Sequence, residues 1–142
     1  MTALELRHLS KVFPGRGLRG GTCKAVDDVS LTIGPGETYG LVGESGCGKS
    51  TLGRMIARLL PATSGQVLWD GRDLLRVGRR ELRPYRRRLQ MLFQHPDTSL
   101  NPRMTVLESL REPFLLHDLP GRDHMDDLIR EHIRAYGIQP EL

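Results

Sequence analysis

The sequence has few cysteines and no long apolar run. Its 142 residues include two cysteines, Cys23 and Cys47, which form no C-x-x-C pair. Their spacing excludes a disulfide framework and a cysteine-based zinc site. No apolar run approaches the roughly 18 residues that span a membrane, and the opening "MTALELRHLS" lacks the apolar core of a secretory signal. A soluble, intracellular protein of about one domain is therefore the expectation.

Acidic residues are scarce in one segment only. The net charge is +4, but residues 72–88 hold eight arginines and two acids, a local charge of +6 that leaves −2 for the remainder. A polyanion-binding field over the whole protein is therefore excluded. The basic segment either binds nucleic acid or an anionic membrane, or it is a solvated helix face. The solvated face is favoured, because Tyr85 is the only ring in a segment where single-strand readers interleave several.

The order of apolar patterns predicts a β-rich first part followed by helices. Alternating apolar residues predict strands at 4–9 and 28–33, and a short apolar run predicts a strand at 38–43. Apolar residues spaced by three and four predict a helix at 49–60. The remaining predicted elements are a loop at 13–24, a hairpin at 66–74, an arginine-rich helix interrupted by Pro84, a strand at 89–93, a loop at 95–103, a helix opened by a Thr105–Glu108 capping box and a helix from Met125 to a Gly137 cap.

The stretch "GESGCGKS" is the most informative motif. It fits G-x-x-x-x-G-K-[ST] at every position, between a predicted strand and a predicted helix. Glycines let the backbone approach an anion, successive N–H groups form an anion nest, and the helix start adds its positive dipole end. Lys49 is expected to reach the β- and γ-phosphates, Ser50 to ligate Mg²⁺ and Thr51 to donate to the α-phosphate. The predicted nucleotide-binding residues are Gly43, Glu44, Ser45, Gly46, Cys47, Gly48, Lys49, Ser50 and Thr51.

The residues around this motif resemble the nucleotide-binding domain of ABC transporters. Residues 24–74, from "KAVDDVSL" through the motif to "WDGRDL", look like the first half of that domain. "MLFQHPDTSLNPRMTVLESLREP" resembles the Q-loop region of the ATP-binding subunits of dipeptide and oligopeptide importers. The resemblance implies an α/β P-loop NTPase fold of the ABC type, truncated after the start of its helical subdomain. It assigns 1–103 to the N-terminal part of the ATP-binding core and 104–142 to the beginning of the helical subdomain.

The same resemblance implies further site residues. Phe13 falls where the family stacks an aromatic ring on adenine, although a strand-end phenylalanine packed in a core is the alternative. Val26 is also assigned to the ATP site. Gln94 falls on the Q-loop glutamine, which in this family contacts Mg²⁺ and the attacking water, so Ser50 and Gln94 are the expected metal-site residues. Residues 95–117 fall where the family docks on its membrane-spanning partner.

Three parts that ABC-type hydrolysis requires are absent from the sequence. They are the glycine-rich signature motif, the Walker B strand that ends in Asp-Glu and a later switch histidine. The nearest match, "FLLHD" at 114–118, has no glutamate after its aspartate. Positioned charge supplies most of the catalysis in phosphoryl transfer. We therefore expect this chain to bind ATP with Mg²⁺ but not to hydrolyse it alone, as the N-terminal portion of an ATPase subunit.

The resemblance implies the ATP-binding subunit of an importer for di- or oligopeptides or similar small solutes, at the cytoplasmic face of the cell membrane. The implied partners are transmembrane permease subunits, a second ATP-binding subunit in a homo- or heterodimer and, indirectly, a substrate-binding protein. No nucleic acid is expected. Two other hypotheses remain open. One is a stand-alone nucleotide-binding regulator without turnover. The other is a P-loop kinase or a nucleic-acid-dependent ATPase, for which the basic segment would bind DNA in a steeply salt-dependent way.

Overall fold

The computed structural model describes residues 4–15, 21–94, 100–117 and 119–137. The chain divides into two compact units, 1–91 and 92–142. The first contains a sheet, the glycine motif and the arginine-rich segment, and the second contains two helices. The predicted subdomain division between residues 103 and 104 stays a prediction. The loops predicted at 13–24 and 95–103 lie partly outside the described residues.

Four antiparallel strands form the sheet of the first unit. They are β1 (Leu4–Pro14), β2 (Thr22–Ile33), β3 (Ser64–Trp69) and β4 (Arg72–Asp73), in the order β2-β1-β3-β4. The central strand β1 pairs with both β2 and β3. Strands β1 and β2 are both longer than the strands predicted at 4–9 and 28–33. Alternation places one row of apolar side chains in the core, which contains Leu4, Leu6, Leu9, Val26, Leu52, Met55, Val67, Leu74, Val77 and Leu82.

The predicted hairpin at 66–74 is confirmed. Strands β3 and β4 pair antiparallel, with Trp69 opposite Arg72. Asp70 and Gly71 between them have φ angles of 47° and 82°. Two consecutive positive φ values define the primed turn whose twist matches that of the flanking strands, and Asp-Gly is a preferred pair for it. A local pair of residues therefore determines this turn.

Helix α1 (Lys49–Ile56) begins where the motif predicted a helix but ends earlier than residue 60. Arg58 has a φ of 56°, in the left-handed region. The backbone N–H groups of Leu59 and Leu60 both donate to the carbonyl of Arg54, which closes the helix end in a tight turn. Leu60 still packs against the core, so its apolar spacing reflects burial after the helix has ended.

The arginine-rich segment contains helix α2 (Arg83–Arg88). The predicted interruption at Pro84 was wrong, because this proline lies in the first turn of the helix. A proline there loses nothing, since the first-turn N–H groups have no intrahelical acceptor. Leu74, Val77 and Leu82 are buried and attach the segment to the core.

The strands predicted at 38–43 and 89–93 are absent, and both predictions were wrong. Neither segment belongs to the sheet of the described residues. Each segment leaves an apolar side chain in solvent: Val42 is 95% exposed and Leu92 is 87% exposed. A strand needs hydrogen-bonding partners for its backbone, and an apolar run alone does not supply them.

The second unit contains helices α3 (Val106–His117) and α4 (Met125–Ala135), the latter preceded by a short 3₁₀ turn, Arg122–His124. The Arg111 guanidinium pairs with the Asp126 carboxylate, with Nε 2.7 Å from Oδ1. Gly137 has a φ of 75°, and its N–H donates to the carbonyl of Arg134, which confirms the predicted cap. An apolar groove of about 680 Å³ lies within this unit.

No helix of the described ranges has both the length and the apolar character of a membrane span.

Candidate phosphate-binding site

Residues 43–48, called the glycine loop here, lead directly into helix α1. Gly46 and Gly48 have φ angles of 85° and 98°, which L side chains rarely adopt. A Cβ at Gly48 would lie 2.0 Å from the carbonyl oxygen of Ala25 on strand β2. This position therefore requires glycine for two reasons, its backbone angle and the close approach of a neighbouring strand.

A backbone hydrogen bond closes the glycine loop on itself, and the loop is exposed to solvent. The N–H of Cys47 donates to the carbonyl of Glu44 over 3.3 Å. A Cβ at Gly43 would lie 2.7 Å from the Cys47 Sγ. Residues 43–47 are exposed, so the concave backbone is accessible to a ligand. A loop of this kind can present several N–H groups to one anion.

Among the described residues, no side-chain cap and no first-turn acid balances the positive dipole end of helix α1. The first bond into the helix runs from the N–H of Leu52 to the carbonyl of Gly48. The N–H groups of Lys49, Ser50 and Thr51 precede it and have no intrahelical acceptor. The helix has no side-chain cap and no acidic residue in its first turn. An anion is the partner that such a terminus favours.

Lys49 adds a full positive charge at the same place. Its Nζ donates to the carbonyl oxygens of Gly43 and Glu44, each over 2.6 Å, and lies 3.5 Å from the Cys47 Sγ. Lys49 has no carboxylate partner among the described residues. The side chain is thus held over the loop by neutral carbonyls, and its charge is available to a phosphate.

Ser50 and Thr51 follow on the first turn of α1, with Ser50 exposed. Among the described residues, no group of three or more His, Cys, Asp or Glu side chains could hold a metal ion. A single hydroxyl fits a Mg²⁺ ion held mainly by phosphates and water, because Mg²⁺ retains several waters and takes few protein ligands. The exposed hydroxyl of Ser50 fits this requirement, and its metal role stays a prediction.

Of the other predicted site residues, Val26 lies next to the glycine loop, and Phe13 and Gln94 belong to other segments. Val26 is buried in the core on β2, and its Cγ2 would lie 3.7 Å from a Cβ at Gly48. Phe13 is half-buried near the end of β1, and the Nζ of Lys11 lies 5.0 Å from its ring centroid. Gln94 is an exposed bend residue of the second unit. The structure thus brings residues 43–51 and Val26 together, while the nucleotide and metal roles of all these residues stay predictions.

Two contacts at the site were not predicted from the sequence. The Ala25 carbonyl lies close to Gly48, and the Cys47 side chain contacts Lys49. Ala25 contributes a backbone atom from a separate strand, so no sequence pattern marks it. The Cys47 contact follows from its spacing of two residues from Lys49 in a tight loop.

The chain is similar to known proteins in both sequence and fold. The ABC transporter family matches residues 26–141. The chain is 44% identical to the oligopeptide transport ATP-binding protein AppF of Bacillus subtilis, over 98% of this chain and 44% of that protein. It is 51% identical to the B. subtilis oligopeptide transport ATP-binding protein OppF, over 97% of this chain and 45% of that protein. For the Salmonella typhimurium OppF the identity is 47%, over 85% of this chain and 36% of that protein. The chain thus spans less than half the length of these relatives.

Solved structures show the same fold. The dimeric bacterial ABC transporter cassette MJ0796 superposes with a TM-score of 0.70 at 26% identity, over 89% of this chain and 54% of that one. A post-hydrolysis state of MJ0796 bound to ADP and Pi also gives a TM-score of 0.70, at 27% identity. The predicted fold class, an ABC-type P-loop NTPase represented by its N-terminal part, is confirmed.

Proposed function

The chain belongs to the ABC transporter family, and on this basis we propose that it is the N-terminal portion of the ATP-binding subunit of an importer for di- or oligopeptides or similar small solutes. The relatives named as oligopeptide transport ATP-binding proteins support the solute class, at identities of 44–51%. The observation that carries ATP binding is the start of α1. Its first turn has three N–H groups without an intrahelical acceptor, no acidic residue and a lysine held by neutral carbonyl oxygens, all beside a glycine loop.

In this proposal each residue of the loop has a separate task. The backbone N–H groups of residues 46–51 bind phosphate oxygens, and Lys49 exchanges its carbonyl partners for the β- and γ-phosphates. Ser50 would hold Mg²⁺, which supplies charge neutralisation between the phosphates. Gln94 would act on the same metal site and on the attacking water. Phe13 would contact adenine through its ring, and Val26 would support the loop from beneath Gly48.

We also propose that residues 1–142 alone bind ATP without hydrolysing it. The sequence contains no apolar strand that ends in Asp-Glu and no glycine-rich signature. Hydrolysis would then belong to a protein that carries these parts. Its partners would be transmembrane permease subunits, a second ATP-binding subunit and, indirectly, a substrate-binding protein. The dimer of MJ0796 supports the second subunit. The place of action would be the cytoplasmic face of the membrane.

The test is an equilibrium titration of the chain with Mg-ATP. Lys49→Ala removes charge-assisted hydrogen bonds to phosphate, each of which contributes about 1.5–3 kcal/mol, so affinity should fall roughly ten- to hundredfold or more. Arg134→Ala is the charge-matched control, because Arg134 is an exposed residue of α4 in the second unit. Equal ATP affinity of the Lys49→Ala variant and the unaltered chain would contradict the proposal.

A further inference from the structure

A concentrated basic surface lies outside the phosphate site. All eight arginines of residues 72–88 are exposed. Arg72 pairs with Glu81 over 2.8 Å and Arg76 with Asp73 over 3.4 Å. The six others have no carboxylate partner among the described residues. These six are called the arginine face: Arg79, Arg80, Arg83, Arg86, Arg87 and Arg88.

The backbone under the arginine face is fixed to the core. Leu82 is 4% exposed, and its N–H donates to the carbonyl of Gly78. Tyr85 and Leu89, at helical spacing from Leu82, also pack against the core. Arg83 and Arg87 are one turn apart on α2 and share a side of the helix. The charges are therefore held by packed structure, unlike those of a flexible basic tail.

Unpaired like charges at this density disfavour the compact state through their mutual repulsion. The remainder of the chain carries −2, so the arrangement is local and does not come from a generally basic composition. A fold that only needed solubility would disperse its charge and mix the signs. An anionic partner that covers the face removes the repulsion, which points to a binding role.

The neighbouring aromatic rings distinguish between possible anionic partners. The Arg88 guanidinium lies 5.5 Å from the Trp69 ring centroid, and the Arg72 guanidinium lies 5.9 Å from that of Tyr85. Both rings near the face are thus already in contact with arginine. Single-strand readers need free rings on which bases stack. A membrane surface needs only a group of exposed cations.

We propose that the arginine face binds the anionic lipid headgroups of a membrane surface. The choice of a membrane rests on the proposed function, because an importer's ATP-binding subunit works at one. A basic side chain near an anionic bilayer strengthens binding roughly fivefold. The attraction decays within a Debye length of about 8–10 Å, so binding should weaken strongly as salt is raised.

The experiment is co-sedimentation of the full chain with phosphatidylcholine vesicles, with and without phosphatidylglycerol, at low and high salt. We expect binding only to the anionic vesicles, and only at low to moderate salt. The triple variant R83Q/R86Q/R87Q should lose roughly a hundredfold in affinity, from about fivefold per arginine. The control R54Q/R103Q/R134Q removes the same charge from exposed positions outside the face and should lose less than about tenfold.

A second variant separates charge from folding. R83K/R86K/R87K keeps the charge, so it should bind the anionic vesicles within a few-fold of the unaltered chain. The proposal is overturned if both glutamine triples lose affinity equally, if plain phosphatidylcholine binds as well, or if DNA binds more tightly than the vesicles. ATP titration keeps the two proposals apart. The R83Q/R86Q/R87Q variant should bind ATP with unchanged affinity. The Lys49→Ala variant should lose ATP affinity and still bind the anionic vesicles.

Discussion

Helices α1 and α3 begin in opposite ways. At α3 the Thr105 N–H donates to the Glu108 Oε2 over 2.7 Å, and the Glu108 N–H donates to the Thr105 Oγ1 over 3.2 Å. This reciprocal capping box satisfies the terminal donors with the chain's own side chains. At α1 no side chain caps the helix and no acid lies in the first turn, while Lys49 adds a positive charge. A helix start that its own side chains leave uncapped, as at α1, can accept an anionic ligand.

The uncapped start of α1, and not the capped start of α3, is therefore the one to test as a ligand site. Capping contributes about 1 kcal/mol to a helix. Helix α1 forgoes this stabilisation. A cost of this kind persists at functional positions, where structure elsewhere compensates for it. Substitutions at the two helix starts should therefore separate stability from nucleotide binding.

The largest effect is expected from Gly48→Ala. The new Cβ would meet the Ala25 carbonyl oxygen at 2.0 Å, on a residue whose φ is 98°. Left-handed strain costs about 1–2 kcal/mol and overpacking about 1–3 kcal/mol, so unfolding free energy should fall by roughly 2–5 kcal/mol. Urea unfolding followed by Trp69 fluorescence measures this, because Trp69 is the chain's single tryptophan and lies in the first unit.

Gly46→Ala is the matched control for this clash. Gly46 has a φ of 85°, but a Cβ there would meet nothing within 4 Å. Only the backbone strain remains, so the loss should be about 1–2 kcal/mol. Equal losses in the two variants would mean that the contact with Ala25 does not determine the loop's geometry.

A smaller effect is expected from Thr105→Ala at the other helix start. The substitution removes the hydroxyl that accepts from the Glu108 N–H, which should cost about 1 kcal/mol. Amide exchange at Glu108 and Ser109 should accelerate roughly fivefold, since 1.4 kcal/mol corresponds to a factor of ten. ATP affinity should not change. A loss of ATP binding would show that α3 is not merely a self-capped helix.

Adding an acid to α1 should have opposite effects on stability and binding. Ser50→Glu puts a carboxylate in the first turn, where it stabilises the dipole by about 0.3–1 kcal/mol relative to the uncharged Ser50→Gln. The same charge repels phosphate and removes the proposed metal ligand, so ATP affinity should fall. Urea unfolding and ATP titration of both variants measure the two effects. A glutamate variant no more stable than the glutamine variant would mean that α1 has no unbalanced positive end.

The features that could be predicted from the sequence depend on residues close together in the chain. The Asp70–Gly71 turn, the Thr105–Glu108 box and the Gly137 cap each span a few positions, and all three are present. Pro84 was misread because its effect depends on where the helix begins, and it lies in the first turn. A turn or a cap can therefore be predicted from the local sequence, whereas the start of a marginal helix cannot.

The features that could not be predicted depend on distant partners. Residues 38–43 and 89–93 are apolar enough for strands, but no described strand pairs with them. The contact between Gly48 and the Ala25 carbonyl joins a loop to a separate strand through a backbone atom, which carries no side-chain signal. The motif thus predicted which residues form the glycine loop. The contact that supports the loop from strand β2 could be found only in the structure.

Acid should affect only the self-capped helix start. Hydrogen bonds from the backbone N–H and the hydroxyl of Thr105 hold the pKa of Glu108 below its ordinary value of 4.5. The unfolded chain therefore binds the proton first as pH falls, so the stabilisation is complete above about pH 4.5 and is lost as pH passes through the lowered pKa. Amide protection at Glu108 should fall over this range in the unaltered chain and fall less in Glu108→Gln, where the remaining acid dependence comes from Asp126, whose pKa is lowered by its hydrogen bond from Arg111.

Protection at Leu52 in α1 is the internal comparison, because no carboxylate lies in the first turn of that helix. It should show no loss over the same pH range while the first unit stays folded. Parallel losses at Leu52 and Glu108 would mean that acid unfolds both units together, and the contrast between the two helix starts would then not extend to pH. A loss confined to Glu108 would show that α3 carries its own anion and that no titrating carboxylate supports the start of α1.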